Sequence, residues 1–370
     1  MSNIQFKDNW DETRQRMAAW FAHEKTGRPV MTIPAWREES EKIFPSYEEQ
    51  PFDDFTDQHT NPDKNFARLM NFYGALKPMA EAFPQFSMNL GAGSMALYLG
   101  SRPEFAQDTI WFEHVIENYD AALPLRFDPE NIWFKKHIEI TKRQMELCKD
   151  TDIMVCIPDI VENIDILSAM RDPQTLCYDL FDYPEQVAAA LDQIQSLYMA
   201  YYDTFYNLVR RDGLTAYTAF NIFGEGKAAK IQCDCGALLS PGQFDELILP
   251  SLAYQCDALD QTLFHLDGPE CLVHVDSLMT LDKLDALQWT PGSGNEKCGD
   301  ERWFGLYEKV KAAGKGLWLP LYDYTSEEAV ACADDLIKRF GAHGMYLHFP
   351  YMTQKEGEAL LIKAERDWKD

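Results

Sequence analysis

In several places along the chain, an acidic or imidazole side chain stands where a buried apolar run gives way to a polar turn. His265 and Asp267 close the run Thr262-Leu-Phe-His-Leu-Asp-Gly, and Asp159 closes Asp152-Ile-Met-Val-Cys-Ile-Pro-Asp. Asp234 ends the run that begins at Ala228, and His348 alternates with Leu347 and Phe349 near the last apolar run. Side chains two apart on a strand share a face, so His265 and Asp267 form a metal-ligating or acid/base pair, with Phe264 and Leu266 turned toward the helices. The competing reading is that Asp267 caps the next helix and His265 simply bonds to it. The same parity puts Gln232 beside Asp234, as a site pair or with Asp234 as a helix cap, while Cys233 and Cys235 pack on the opposite face. Asp159 is a binding residue, a general base or an N-cap, and Asn163 follows it. Gln288 also falls at the end of an apolar run, and Trp289, Tyr346 and Trp111 offer rings for a flat ligand, though such rings are more often core.

The elements that must position these residues follow from periodicity. Thr262 to Gly294 reads as strand, turn, helix, strand, turn: two short apolar runs flank Leu272, Val275, Leu278, Met279, Leu281 and Leu284, spaced by helical intervals from Cys271 to Asp285. This is a βαβ unit, so the sheet is expected to be parallel, with ligands beyond the carboxyl ends of its strands. Helices are expected before Gly27, over Asn65–Phe83, Pro129–Lys149 and Tyr183–Arg211, and after the Ser240-Pro start signal. Residues 108 to 125 show no clear period and are expected to cover the site. Nine strand candidates alternate with helices, one more than a (β/α)₈ barrel needs; the closely spaced pair Leu214–Phe223 and Ala228–Asp234 is read as one barrel strand plus an extension. The expected class is therefore α/β, a (β/α)₈ TIM barrel with an N-terminal helical extension. It forms a single domain over 1–370, with the extension and first strand in 1–85 and the main barrel in 86–370.

Composition narrows the function. With 60 acidic against 34 basic residues and a net charge of −26, neither nucleic acid nor an anionic membrane surface is an expected partner. No apolar run approaches the roughly 20 residues of a membrane span, and Met1 to Trp10 lacks a secretory core, so a cytoplasmic location is expected. Nine scattered cysteines without a CxxC pair fit a reduced compartment and argue against a four-cysteine zinc module. Gly91, Gly93 and Gly100 do not make a dinucleotide fingerprint. Homo-oligomer formation is left open.

From about residue 150 to 350 the chain resembles the uroporphyrinogen decarboxylase-like superfamily, which includes cobalamin-dependent methyltransferases. Gln232-Cys-Asp-Cys-Gly-Ala-Leu-Leu-Ser-Pro with Phe244 and Leu249-Pro250 is similar to the decarboxylases' Q-x-F-D-S-W-A-G-x-L-S-P segment. Leu284-Asp-Ala-Leu-Gln-Trp-Thr is similar to their G-L-D-W-T, and His265-Leu-Asp-Gly to the methyltransferases' His-x-Cys-Gly. The decarboxylases' arginine-rich carboxylate-binding segment corresponds here to Thr32-Ile-Pro-Ala-Trp-Arg37, with one arginine. The resemblance therefore implies a methyltransferase rather than a true uroporphyrinogen decarboxylase. It implies zinc held by His265, Asp267 and His348, where relatives use more thiolates, and methyl transfer between a small methylated compound and a corrinoid. No Asp-x-His-x-x-Gly segment is present, so a separate corrinoid protein is the implied partner. Asp159 or Asp234 would orient substrate or manage its proton, with Gln288, Trp289, Tyr346 and Asn163 contacting substrate. The alternatives are a metal-free decarboxylase of a tetrapyrrole or smaller acid, and a non-catalytic corrinoid-binding protein.

Overall fold

The structure, a computed structural model, describes residues 4–43, 47–161 and 163–369. Its strands are short and apolar, and Leu214–Tyr217, Ala228–Gln232 and Gly316–Pro320 are buried along their whole length. Such runs belong to parallel sheets that helices cover. One sheet sets Val30–Trp36, Met345–His348, Gly316–Pro320, Ala286–Thr290, Gln261–Asp267 and Ala228–Gln232 side by side, all parallel. Met352–Thr353 and the antiparallel Leu76–Ala80 both pair with Val30–Trp36. A second sheet holds Gln85–Phe86, Met154–Ile157 and Leu214–Tyr217 in parallel, then turns back through Ile222–Glu225. The fold is mixed α/β with a mostly parallel central sheet. Among the described residues no strand pairing joins the two sheets, but Leu214–Tyr217 packs beside Ala228–Gln232.

Helices fill the crossovers for local reasons. Ser326–Phe340 starts with a capping box in which Thr325 and Glu328 bond each other's backbone, buries Ala329, Ala333 and Leu336, and stops at Gly341, whose φ of 76° suits glycine. Pro184–Val209 begins with proline in its first turn and buries a stripe from Val187 to Val209 that includes Tyr198, Tyr201, Tyr202 and Phe205. Ser240 is the expected N-cap of Pro241–Leu247, and Gln243 completes a capping box with it. Among the described residues no helix is long and apolar enough to cross a membrane.

Three expectations are corrected. Cys271–Asp285 is not one helix: Gly268 and Pro269 open a 3₁₀ segment, Pro269–His274, and a single turn, Val275–Leu278, follows, so its helical spacing reflects buried contacts rather than a continuous helix. The helix expected over Asn65–Phe83 runs Pro62–Ala75 and then becomes the strand Leu76–Ala80, because edge pairing to Val30–Trp36 captures the chain. Leu214–Phe223 is a hairpin whose turn, Thr218 to Asn221, separates two antiparallel strands.

His137, on the helix Ile132–Cys148, is fully buried. Its Nδ1 accepts from the Tyr98 hydroxyl at 2.6 Å, and its Nε2 faces the Met88 carbonyl at 3.3 Å, which satisfies one neutral tautomer. Burial lowers its pKa to about 4, against a smaller upward pull from the Met88 carbonyl. A depressed imidazole adds stability that is present above pH 6.5 and lost as pH falls through about 4. Urea unfolding at pH 7 and 4.5 should show wild type losing roughly 2 kcal/mol more than His137→Gln. Equal losses would contradict the neutral buried imidazole.

Candidate functional site

Parallel register builds the site. His265 stands opposite Gln232 on one side and Gln288 on the other, with Asp267 opposite Thr290. The amide nitrogen of Gln288 donates to the Trp289 carbonyl at 2.9 Å and to Thr290 Oγ1 at 2.8 Å, which leaves its oxygen to face His265 Nδ1. A carbonyl can only accept, so the orientation of Gln288 is determined, Nδ1 carries the proton, and Nε2 keeps its lone pair. Burial, followed by the nearby Lys230 ammonium, lowers the His265 pKa, while the Gln288 bond and Asp267 oppose this. His265 is therefore a neutral imidazole with a free ligand nitrogen.

Among the described residues, one ligand atom each from Asp234, His265 and Asp267 lies within 4.8 Å of the others. Asp234 and Asp267 are exposed and His265 half-buried, so the group opens outward. The same-face expectation for His265 with Asp267 describes what their strand does; Asp234 instead lies past the end of Ala228–Gln232, at the start of the 3₁₀ segment Asp234–Leu238, where Gln232 Nε2 still reaches it at 2.7 Å. Although Asp234 reaches solvent, its carboxyl pKa is pushed up to about 7, first by burial and then by the Asp165 carboxylate; Lys230 counteracts, while Asp267 and Asp159 add to the rise. Several carboxylates share one imidazole, an arrangement that a divalent cation relieves.

Beneath this group lies a buried polar network. Lys230 Nζ pairs with Asp159 Oδ1 at 2.8 Å and also contacts Gln232 Oε1. Tyr217 donates to the Ile160 carbonyl at 3.2 Å and lies 3.5 Å from Asp159. Asp165 accepts from the backbone nitrogens of Asp234 and Cys235, both at 2.9 Å, and from Gln232 at 3.2 Å, which fixes the turn carrying Asp234. Asn163, at a φ of 58°, donates to the Gln232 carbonyl at 2.9 Å. It links two strand ends, while Glu162 lies outside the described residues.

The hairpin tip supplies an aromatic wall. Ala219, Phe220 and Asn221 all have positive φ (97°, 56° and 50°), a strained run held by tertiary bonds. Asn221 exchanges bonds with the backbone of Phe83 at 3.3 Å, and Trp318 Nε1 donates to the Phe220 carbonyl at 3.1 Å. Phe220 thereby sits 5.0 Å from the His265 ring. Ser87 bonds Thr218 at the tip's root, and beside it a polar cavity of about 350 Å³ is bounded by His59, Asn89 and Asp108. Of residues 108–125, the stretch expected to cover the site, Asp108, Thr109 and Ile110 line this cavity; Ile110–Phe112 pairs with Pro103–Phe105 in a ribbon, and Trp111 is exposed.

Three expected site residues lie elsewhere. His348 is not in the ligand group: ring contacts run from His265 through Phe220 and Trp318 to His348, whose pKa falls to about 4 through burial. Asp234 takes its place. Trp289 points to the helix side, fully buried against Trp303, because its even-numbered neighbours Gln288 and Thr290 take the inner face. Tyr346 is core: its hydroxyl donates to the Asn221 carbonyl at 2.6 Å and contacts Thr32 Oγ1 at 2.7 Å. Sequence reasoning missed Lys230, although it shares the parity of Gln232 in a wholly buried strand, which is itself a signal. Phe220 and Asp165 gave no comparable sign.

No protein-family model matches the chain, and no curated protein matches it. Among solved structures it is similar to a methyltransferase from Methanosarcina mazei, with a TM-score of 0.59 and 12% identity over 96% of this chain and 98% of that one. The likeness is one of fold, from end to end.

Removing Lys230 should leave Asp159 as an uncompensated buried charge. Lys230→Met is expected to cost roughly 3–5 kcal/mol in chemical denaturation, with Lys230→Met/Asp159→Asn recovering much of it. A single variant within about 1 kcal/mol of wild type would refute the pairing.

Proposed function

We propose that the chain is a (β/α)₈-type methyltransferase of the uroporphyrinogen decarboxylase-like superfamily, moving a methyl group between a small methylated compound and a corrinoid carried by a separate protein. The observation that carries this reading is the Asp234–His265–Asp267 group at the carboxyl ends of two adjacent parallel strands. The end-to-end fold likeness to a methyltransferase supports it.

Asp234, His265 and Asp267 are the residues that would hold zinc, which accepts imidazole nitrogen and carboxylate oxygen. The fit rests on a preset Nε2 lone pair and on the Asp234 carboxyl, which burial and then the Asp165 carboxylate raise to about 7, so that a cation would displace a proton it holds near neutral pH. When bound, the metal supplies Lewis acidity to the heteroatom that bears the methyl group. Gln288 orients His265, Gln232 holds Asp234 in reach of the same point, and Phe220 keeps water from one face. Asp234, with a pKa of about 7, can hold or release a proton at its carboxyl oxygen near neutral pH. A metal-free decarboxylase would need a free carboxylate anion against a protonated intermediate. Asp159 is engaged by Lys230 and Asp234 is pushed toward its neutral form, which favours the methyltransferase.

The test offers the zinc-loaded chain a panel of methylated amines, ethers, thiols and alcohols with free cob(I)alamin and follows methylcobalamin by absorbance. Wild type should methylate cobalt with one class of donor, and His265→Ala should lose that activity. Gln288→Leu should bind zinc roughly 10–100-fold more weakly. Full turnover by His265→Ala, or carbon dioxide release from a porphyrinogen without metal, would overturn the reading.

A further inference from the structure

Away from the proposed centre, two of the nine cysteines meet. Cys298, in the loop after Ala286–Thr290, is buried, and its thiol donates to the Pro320 carbonyl at 2.9 Å. Cys332, on the helix Ser326–Phe340, is partly exposed, and its sulfur packs against Gly299, the residue that follows Cys298 in the chain. The approach is built into the chain. A side chain at position 299 would collide with the Cys332 sulfur and the Tyr324 hydroxyl, so glycine is what lets the loop sit against the helix. Tyr307 donates to the Cys298 carbonyl at 2.6 Å, the Gly299 nitrogen donates to Tyr324 at 3.0 Å, and Lys297 lies over the Tyr324 ring at 4.4 Å.

We propose that Cys298 and Cys332 form a reversible dithiol modification site, oxidised by peroxides to a disulfide that ties the loop after Ala286–Thr290 to the helix Ser326–Phe340. The first step is at the more open thiol. The Cys332 thiolate attacks one peroxide oxygen, the O–O bond breaks, and Cys332 becomes a sulfenic acid as hydroxide leaves. Cys298 sulfur then attacks Cys332 sulfur, the S–O bond breaks, and the Cys298 proton leaves with that oxygen as water. Two thiols lose two electrons, and one peroxide becomes two waters once the first proton is counted. The surroundings favour this order. The neighbouring Cys298 thiol, able to turn its proton toward a thiolate, holds the Cys332 pKa below its ordinary value; burial opposes this, and Tyr324 assists. Cys298 is pushed well up by burial, which suits a resolving rather than an attacking thiol. The other partly exposed cysteines, Cys177 and Cys235, do not share this pairing, and Cys235 is pushed up by burial and by Asp165.

The inference is independent of methyl transfer and is tested on the full chain with hydrogen peroxide, followed by alkylation, digestion and mass spectrometry. A cross-linked peptide pair containing Cys298 and Cys332, about 2 Da lighter than the reduced pair and released by dithiothreitol, is the expected result. Cys332→Ser should leave Cys298 alkylatable at peroxide doses that remove both thiols in wild type. Dithiothreitol recovery of both thiols in the oxidised wild type is the second readout, and it does not depend on the folding of the variant. Both thiols free at doses that oxidise glutathione, Cys332 driven to sulfinic acid, or Cys332 paired with another cysteine would each overturn the proposal.

Discussion

The register that places His265 between Gln232 and Gln288 is the constraint from which the rest of the site follows. Three inward polar side chains on adjacent buried strands must satisfy one another, since leaving any of them unpaired costs several kcal/mol. Gln288 spends both amide protons on its own strand and gives His265 its oxygen. Gln232 takes the Lys230 ammonium on its oxygen and gives its nitrogen to Asp165 and Asp234. Each amide thus has one orientation. The outcome is an imidazole with a known tautomer and a carboxyl held at hydrogen-bond distance from its support. A shift of one residue in any of these strands would turn the whole set toward the helices.

The second constraint is the hairpin Leu214–Tyr217 to Ile222–Glu225. A parallel sheet has no need of an antiparallel return at this point, and three successive residues with positive φ make it costly. What offsets the cost is visible in its bonds: Asn221 to Phe83, Trp318 to Phe220, Tyr346 to Asn221. These contacts carry Phe220 to His265, so strain and a wall of the site occur in the same few residues.

Much of this was legible. Strand parity put His265 with Asp267, because both lie on one unbroken strand; Gln232 meets Asp234 although the strand ends between them, through a direct hydrogen bond. The α/β class and parallel pairing followed from short apolar runs separated by helices. Parity also shows where the reading slipped: Trp289 is one residue off the inward row of Gln288 and Thr290, and its aromatic character outweighed its position. Tyr346 looked like a ligand platform because nothing local reveals that Asn221, more than a hundred residues away, would take its hydroxyl. Lys230 was within reach of the same argument, since a lysine in a fully buried strand demands a partner, here Asp159. The replacement of His348 by Asp234 could not be read from spacing, because it depends on where Phe220 and Trp318 stack.

The proposed function requires that Asp234, His265 and Asp267 converge on one cation. Diffraction from crystals equilibrated with zinc, recorded at the zinc absorption edge, tests it most directly. The expected result is an anomalous peak about 2.0–2.2 Å from His265 Nε2 and from a carboxylate oxygen of Asp234 or Asp267. A crystal whose zinc lies only elsewhere, or one in which His348 rather than Asp234 completes the ligand set with His265, would contradict it.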